Sequence, residues 1–194
     1  MNLVDRVKKI LLQPRQEWTV ISAEPQTVAG LYTRYVMILA AIPAIASFIG
    51  FSIVGYSGFG ATYRVPMAAG VASMVINYLL TLGGVYVLAL IIDGLAPNFG
   101  GEKNFMQALK VSAFAPTASW IAGVFAILPT LAIIAVLGGL YSLYLLYLGL
   151  ASLMKVPEEK SITYTVVVIL ITIVMMVVIS TIAALAIPGR ARGF

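Results

Sequence analysis

Long apolar runs separated by short polar segments are the main pattern in this chain. Windows without a charged side chain cover residues 35–63, 65–92, 111–154 and 161–189. They lack the period-two alternation over about ten residues that is typical of membrane β-barrel strands. Three of the windows have the length of one tilted membrane-spanning helix with its interfacial ends. The pattern therefore predicts α-helices that cross a membrane.

The window at 111–154 is too long for one span. As a single helix it would be roughly 66 Å long at about 1.5 Å per residue, about twice a hydrocarbon core of about 30 Å. Pro129 lies near its middle, where a proline removes a backbone donor and clashes with the preceding turn, so the window is expected to turn back there. The five expected spans are 33–55, 66–93, 106–128, 130–154 and 162–187. They form a transmembrane domain at 33–187, between an arm at 1–32 and a short tail at 188–194.

The composition also indicates a membrane protein. Of the 194 residues, 61% are hydrophobic and 10% are charged, whereas a soluble domain averages about 25% charged residues. These values exclude a water-soluble globular enzyme. The chain contains no Cys and no His, which removes thiol nucleophiles, Cys/His zinc sites, haem ligation and the usual general base. We therefore expect an all-α polytopic integral membrane protein that uses no cofactor and no metal.

The basic residues indicate how the chain is oriented. With a cytoplasmic N-terminus, nine basic residues fall on the cytoplasmic side and three on the other, so the positive-inside rule favours N-in and C-out. Topology and anionic lipid headgroups explain the net charge of +5 better than nucleic acid, for which the chain has no binding motif. The cytoplasmic set is Arg6, Lys8, Lys9, Arg15, Arg34, Lys103, Lys110, Lys155 and Lys160, and the outer set is Arg64, Arg190 and Arg192.

The N-terminal arm has the pattern of two short helices. Residues 3–12 place apolar side chains at helical spacing with charged ones opposite, which predicts a basic amphipathic helix lying among lipid headgroups. Pro14 suits the first position of a second helix, whose apolar face would contain Trp18 and Ile21. Two interpretations fit: a recognition or curvature-sensing surface, or a helix that anchors the protein's orientation. The expected contacts with lipid or a partner are Arg6, Lys8, Lys9, Arg15 and Trp18.

Polar side chains within the spans are few. None of the predicted spans has an acidic or basic residue near its centre, which counts against ion-coupled transport. Asp93 and Lys110 fall at the same interface, where they would form a salt bridge or line a shallow cavity. Asn77, the most polar side chain deep in a span, would bond to a neighbouring helix or contact a solute. Pro116 predicts a kink in the third helix.

Tyrosines and small residues predict contacts between helices. Tyr141, Tyr144 and Tyr147 recur every three residues and form one slanting stripe, which is either a helix contact or a binding surface. Small residues allow helices to approach closely. They occur at Ala46/Gly50, Ala69/Ser73, Gly83-Gly84 and Gly138/Ser142.

An ordered set of residues carries a family resemblance. The arm contributes Arg6-Val7-Lys8, Pro14, Trp18 and Glu24-Pro25; the rest of the chain contributes Tyr63-Arg64-Val65-Pro66, Leu90-Ile91-Ile92-Asp93, Phe99-Gly100-Gly101, Phe105, Ala108-Leu109-Lys110, Pro116, Trp120, Pro129, Tyr141 and Gly149. Over residues 3–187 this set resembles the Yip family, the Ypt/Rab-interacting five-span membrane proteins, in its bacterial branch.

The resemblance implies a five-span membrane domain and, by likeness to eukaryotic members, a role in membrane shaping, oligomerisation or adaptor function. Those members have a long cytosolic N-terminal region associated with Rab GTPases and an Asp-Leu-Tyr-Gly-Pro motif. This chain has only about 32 residues before its first predicted span and lacks that motif. GTPase binding and vesicle traffic are therefore not carried over.

Three functional hypotheses follow. The leading one is a non-enzymatic protein of the bacterial inner membrane that organises lipid, a membrane partner or copies of itself. The alternative is a passive channel or transporter for a small or lipidic solute, with a path past Asn77, Pro116 and the tyrosine stripe. An enzyme is the weakest hypothesis, because the nearest nucleophile and base, Ser112 and Lys110, are two residues apart on a helix and do not face each other.

Overall fold

Five long helices form the body of the computed structural model, which describes residues 2–58 and 61–186. The arm consists of α1 (Leu3–Leu12) and α2 (Pro14–Ala23). The spans are built from α3 (Val28–Val54), α4 (Met67–Leu95), α5 (Phe105–Phe114) with α6 (Thr117–Ala122), α7 (Ala132–Leu153) and α8 (Glu158–Ala186). Within α3, π-helical turns occur at Tyr32–Val36 and Ile49–Val54. Short 3-10 turns occupy Ala96–Phe99, Gly123–Ile127 and Pro129–Leu131.

The predicted count of five spans is confirmed. The first span begins at Val28, five residues before the predicted start at 33. The reason is a helix cap, because the Thr27 hydroxyl accepts a hydrogen bond from the Gly30 backbone N–H at 3.1 Å. The turn expected at Pro129 separates the third span from α7. The predicted tail, 188–194, lies outside the described residues.

The ends of the spans are closed by tight connections. Between α3 and α4, strand β1 (Tyr56–Gly58) pairs antiparallel with β2 (Ala61–Tyr63).

The kink predicted at Pro116 is present as a break, since α5 ends at Phe114 and α6 starts at Thr117. The Thr117 hydroxyl donates to the Phe114 carbonyl at 2.6 Å and so satisfies an acceptor that the break leaves free.

The third span is the central helix of the bundle. Of its most apolar stretch, 61% is buried inside the protein, compared with 17–33% for the other four spans. The outer faces of α4, α7 and α8 expose large apolar side chains such as Leu79, Leu140 and Val174. In a membrane these side chains face lipid, so the chain is an integral membrane protein whose helices surround one buried span.

Two of the predicted small-residue pairs lie at close helix contacts. A methyl group at Gly50 would overlap the Ala126 carbonyl, and one at Gly138 would overlap the Ala122 side chain. The Ser142 hydroxyl also accepts a hydrogen bond from the Ser119 backbone N–H at 2.9 Å. At the predicted Gly83-Gly84 pair, a methyl group on Gly84 would lie 3.3 Å from the Ile179 side chain of α8, whereas no atom of the described residues lies within 4 Å of the Cβ position of Gly83, so only Gly84 is at a helix contact.

Candidate interface at the N-terminal arm

The arm folds back onto the bundle rather than extending away from it. Ile10 on α1, and Trp18 and Ile21 on α2, are fully buried. The Trp18 ring packs edge-on against Phe114 of α5, with 6.4 Å between ring centroids. It also lies against Gly149 of α7. The face of residues 3–12 that was predicted to lie among lipid headgroups is therefore partly covered by protein, with Ile10 fully buried and Val4 still exposed.

A buried ion cluster joins the parts of the arm. The Arg6 guanidinium donates to the Glu17 carboxylate at 2.5 Å and also to the Glu24 carboxylate. The guanidinium carbon of Arg6, Cζ, lies 5.6 Å from the centroid of the Phe114 ring, within cation–π range. Arg6 was predicted to contact lipid or a partner, and that prediction is wrong: two carboxylates on the second half of the arm compensate its charge inside the protein.

Side chains of the central span cap the end of α2. The Lys110 ammonium donates to the Ile21 and Ser22 carbonyls at 2.8 and 3.1 Å, and the Gln107 amide donates to the Ser22 carbonyl at 3.0 Å. The last carbonyls of a helix have no partner within the helix and carry partial negative charge, so a buried cation there is well placed. The arm is thus hydrogen-bonded to the centre of the bundle.

The predicted salt bridge between Asp93 and Lys110 is not formed. Lys110 points to the arm, while Asp93 is buried at the end of α4, where its Oδ1 has no hydrogen-bond partner within residues 2–58 and 61–186. The pairing was predicted because both residues lie at the ends of successive spans and so at one level of the membrane, but their side chains have different surroundings. Asp93 lies on the side of Tyr164, whose hydroxyl donates to the neighbouring Ile92 carbonyl at 2.6 Å.

The tyrosine stripe is also part of the arm contact. The Tyr141 hydroxyl donates to the Leu11 carbonyl at 2.7 Å and so caps the end of α1. The Tyr144 ring lies 5.7 Å from the Tyr141 ring and is exposed. Of the two interpretations of the stripe, Tyr141 fits a contact between helical elements.

Three of the five predicted arm contacts face outward. Lys8, Lys9 and Arg15 are exposed, whereas Trp18 is fully buried and its indole N–H has no acceptor in the described part of the chain. The result is a basic surface carried on two helices that the bundle holds in place. Such a surface has the charge to bind anionic groups.

Asn77 lies away from the arm, in an open groove between α3 and α4. The groove has a volume of about 410 Å³. The Asn77 amide donates to the Ser73 carbonyl of its own helix at 2.8 Å, and Ser52 and Thr81 share the groove wall. Pro116, Tyr141 and Tyr144 are not among the residues that line it. The structure therefore does not bring together the residues of the predicted solute path.

Sequence reasoning missed the acidic half of the ion cluster. Glu17 and Ile21 of α2 and Glu24 directly after it are spaced four and three residues apart, which predicts one shared helical face with Trp18 beside it. Carboxylates placed on an apolar face are a signal for a buried cation, and Arg6 is the basic residue that interrupts the apolar face of the first arm helix. That pairing could have been proposed from the spacing.

Gly149 gives a direct test of the docked arm. A methyl group at this position would lie 2.8 Å from two carbons of the Trp18 ring, whereas no atom of the described residues lies within 4 Å of the corresponding position at Gly139 on the same helix. We expect Gly149→Ala to weaken arm docking by about 1–3 kcal/mol, the usual cost of overpacking, and Gly139→Ala to leave it unchanged. The native chain has no cysteine, so thiol labelling of Ser22→Cys, at the half-buried end of α2, reports release of the arm. Equal labelling rates in both glycine variants would contradict the docked geometry.

Comparison with known proteins adds a family. A family model described as the Yip1 domain matches residues 8–179. The chain is 27% identical over 156 residues to the inner membrane protein YohC of Escherichia coli K12. The matched region covers 78% of this chain and 80% of YohC. YohC of Escherichia coli O6:H1, strain CFT073, gives the same values. No solved structure matches this chain. The matched region takes in most of the arm as well as the bundle.

Proposed function

Because the chain belongs to the Yip1 domain family, we propose that this integral membrane protein organises lipid around a basic arm and catalyses no reaction. Its similarity to inner membrane proteins supports a place in the bacterial inner membrane. The excess of basic residues at the arm end of the sequence supports a cytoplasmic N-terminus. The lipid function is the part that the arm geometry favours.

One observation carries this proposal: the exposed cations of the arm are fixed relative to the spans. Arg6, Lys110 and Tyr141 tie the arm to itself and to the bundle, and Lys8, Lys9 and Arg15 remain exposed. A basic residue near an anionic membrane surface contributes about 1 kcal/mol of attraction. Three exposed cations carried on the docked arm would therefore enrich anionic lipid beside the protein.

The surroundings of the nearest nucleophile support a non-catalytic role. The Ser112 hydroxyl donates to the Leu109 carbonyl at 3.1 Å, and the Lys110 ammonium is held by the arm. A serine nucleophile needs an adjacent base within hydrogen-bond reach, and these two groups serve different structural contacts. Within the described residues, no group of three or more carboxylates is placed to hold a metal ion.

Neutralising the exposed cations tests the proposal better than truncation does, because removing the arm would uncover the buried Phe114 and Lys110. The protein is labelled with a fluorophore at Gln16→Cys, an exposed position on the arm. It is then reconstituted in vesicles that contain either spin-labelled phosphatidylglycerol or spin-labelled phosphatidylcholine. We expect stronger quenching by phosphatidylglycerol. That preference should disappear in the triple variant Lys8→Gln/Lys9→Gln/Arg15→Gln and fall steeply between low salt and about 1 M salt.

Arg64→Gln is the matched control, since Arg64 is exposed near the β1–β2 connection, away from the arm. It should leave the preference for phosphatidylglycerol unchanged. The proposal fails if the triple variant retains the preference of the unmodified chain. Capture of a single membrane protein that depends on the same three cations would instead favour the adaptor function.

The groove at Asn77 is the observation that favours the alternative, passive transport. It places Asn77, Ser73 and Thr81 on a cavity open to one side of the bundle. Polar side chains on an apolar surface are unfavourable unless something pairs with them. Under this alternative, solute flux in proteoliposomes falls severalfold in Asn77→Leu. Flux equal to that of protein-free vesicles would exclude it.

A further inference from the structure

A second cavity, between the arm and the first span, has the charges of a lipid headgroup site. It has a volume of about 400 Å³, is open on one side, and is lined by residues that include Glu24, Gly30 and Arg34. We propose that it binds one phospholipid with a primary ammonium headgroup, of the phosphatidylethanolamine class. The inference deepens the proposed lipid function and rests on it, but it concerns a single site rather than the basic surface of the arm.

Three charged residues line the cavity, Arg6, Glu24 and Arg34, and Glu24 is paired with Arg6 but not with Arg34. Arg34 is exposed and forms no ion pair with any residue in the described part of the chain. The Glu24 carboxylate accepts from Arg6 through Oε2, and its side chain is still 32% exposed. Opposite charges that share a cavity without meeting leave room for a ligand that bridges them.

A phosphoethanolamine group matches this arrangement in chemistry. Its phosphate oxygens can accept two hydrogen bonds from the planar Arg34 guanidinium, the geometry that arginine favours. Its ammonium can donate to the Glu24 carboxylate, which has accepting capacity beyond its bond to Arg6. A trimethylammonium headgroup lacks N–H donors, and a glycerol headgroup lacks the positive charge. The cavity therefore distinguishes headgroups that a general basic surface does not.

The first span also supplies a path for an acyl chain. Ile38 and Ile45 follow Arg34 by four and eleven residues, which places them on nearly the same face of α3. Both side chains are exposed. A lipid whose phosphate lies at Arg34 can thus extend an acyl chain along an apolar stripe toward the membrane centre, as a soluble phosphate ester cannot.

Native mass spectrometry of the delipidated full-length protein tests the site. Phosphatidylethanolamine, phosphatidylcholine and phosphatidylglycerol with identical acyl chains are titrated separately. We expect one phosphatidylethanolamine bound about tenfold more tightly than the other two, since a lost charge-assisted hydrogen bond costs about that factor. Arg34→Gln should weaken this binding about tenfold, and soluble phosphoethanolamine should bind more weakly than the lipid.

Arg64→Gln is the matched control, because Arg64 is exposed outside the arm and does not line the cavity. It should leave phosphatidylethanolamine binding unchanged. Equal affinity for the three lipids, equal affinity of Arg34→Gln and the unmodified chain, or equal binding of soluble phosphoethanolamine would each overturn the inference. If quenching at Gln16→Cys shows a preference for phosphatidylglycerol but native mass spectrometry shows equal binding of the three lipids, the proposed function is supported and this site is overturned. The reverse pair of results would support this site and overturn the arm's role.

Discussion

Replacing Arg6 with alanine is expected to release the arm, at a cost of about 3–5 kcal/mol. The substitution leaves the buried Glu17 carboxylate without its partner and frees Glu24 from the same cation. A carboxylate left buried and uncompensated costs more than the ion pair contributed, because its desolvation is no longer offset. Labelling of the Ser22→Cys thiol should accelerate more than about a hundredfold, toward the rate of an unfolded segment.

Arg15→Ala is the control for this substitution, since it removes an exposed arginine from the same arm. Its labelling rate should match that of the unmodified arm. A further variant, Arg6→Met/Glu17→Gln/Glu24→Gln, removes both signs of charge and should recover most of the protection. If Arg6→Ala labels no faster than Arg15→Ala, the ion cluster does not hold the arm.

The five-span architecture was predictable because the signal is local. Each span is a run of apolar residues that is long enough, as a helix, to cross a bilayer. The turn at Pro129 was predictable because proline has no backbone N–H to donate within a helix. The start of the first span was placed too late because apolar counting ignores caps. Thr27 starts the helix before the apolar run does, through its bond to the Gly30 N–H.

The position of the arm was not predictable by the same means. An amphipathic pattern shows that one helix face is apolar, but lipid and a protein surface select the same side chains for that face. The contacts that decide between them join distant parts of the chain: Tyr141 to Leu11, and Lys110 to Ile21. Only the acidic residues on the apolar face of α2 gave a local signal that a buried cation was required.

The pairing of Asp93 with Lys110 failed for a related reason. Two residues near the ends of successive spans lie at the same depth in the membrane. Their depth does not determine the direction in which each side chain points around its helix axis. The arm offers Lys110 the carbonyls of Ile21 and Ser22, which have no partner within their own helix. An interfacial lysine can therefore be satisfied by the carbonyls of a helix end as well as by an opposite charge.

Trp18→Ala is expected to cost about 3–5 kcal/mol of arm docking, the usual range for truncating a fully buried aromatic residue. The ring fills the space between Phe114 and Gly149, so its loss leaves a cavity between the arm and two spans. Fast labelling of Ser22→Cys is the measurement. Tyr164→Ala is the control, because Tyr164 is equally buried but lies on α8 against Ile92; it should lower the stability of the bundle without releasing the arm.

Combining Trp18→Ala with Arg6→Ala decides whether the arm docks as one unit. If the ion cluster and the tryptophan hold a single element, either substitution alone already releases it, and the double variant should label no faster than the faster single variant. Because Ser22→Cys lies on α2, an unchanged labelling rate in Arg6→Ala beside a raised rate in Trp18→Ala would mean that α1 and α2 are held separately, with Arg6 acting on α1 and Trp18 on α2. A basic surface fixed to the spans requires the first result, because Lys8 and Arg15 lie on different helices of the arm.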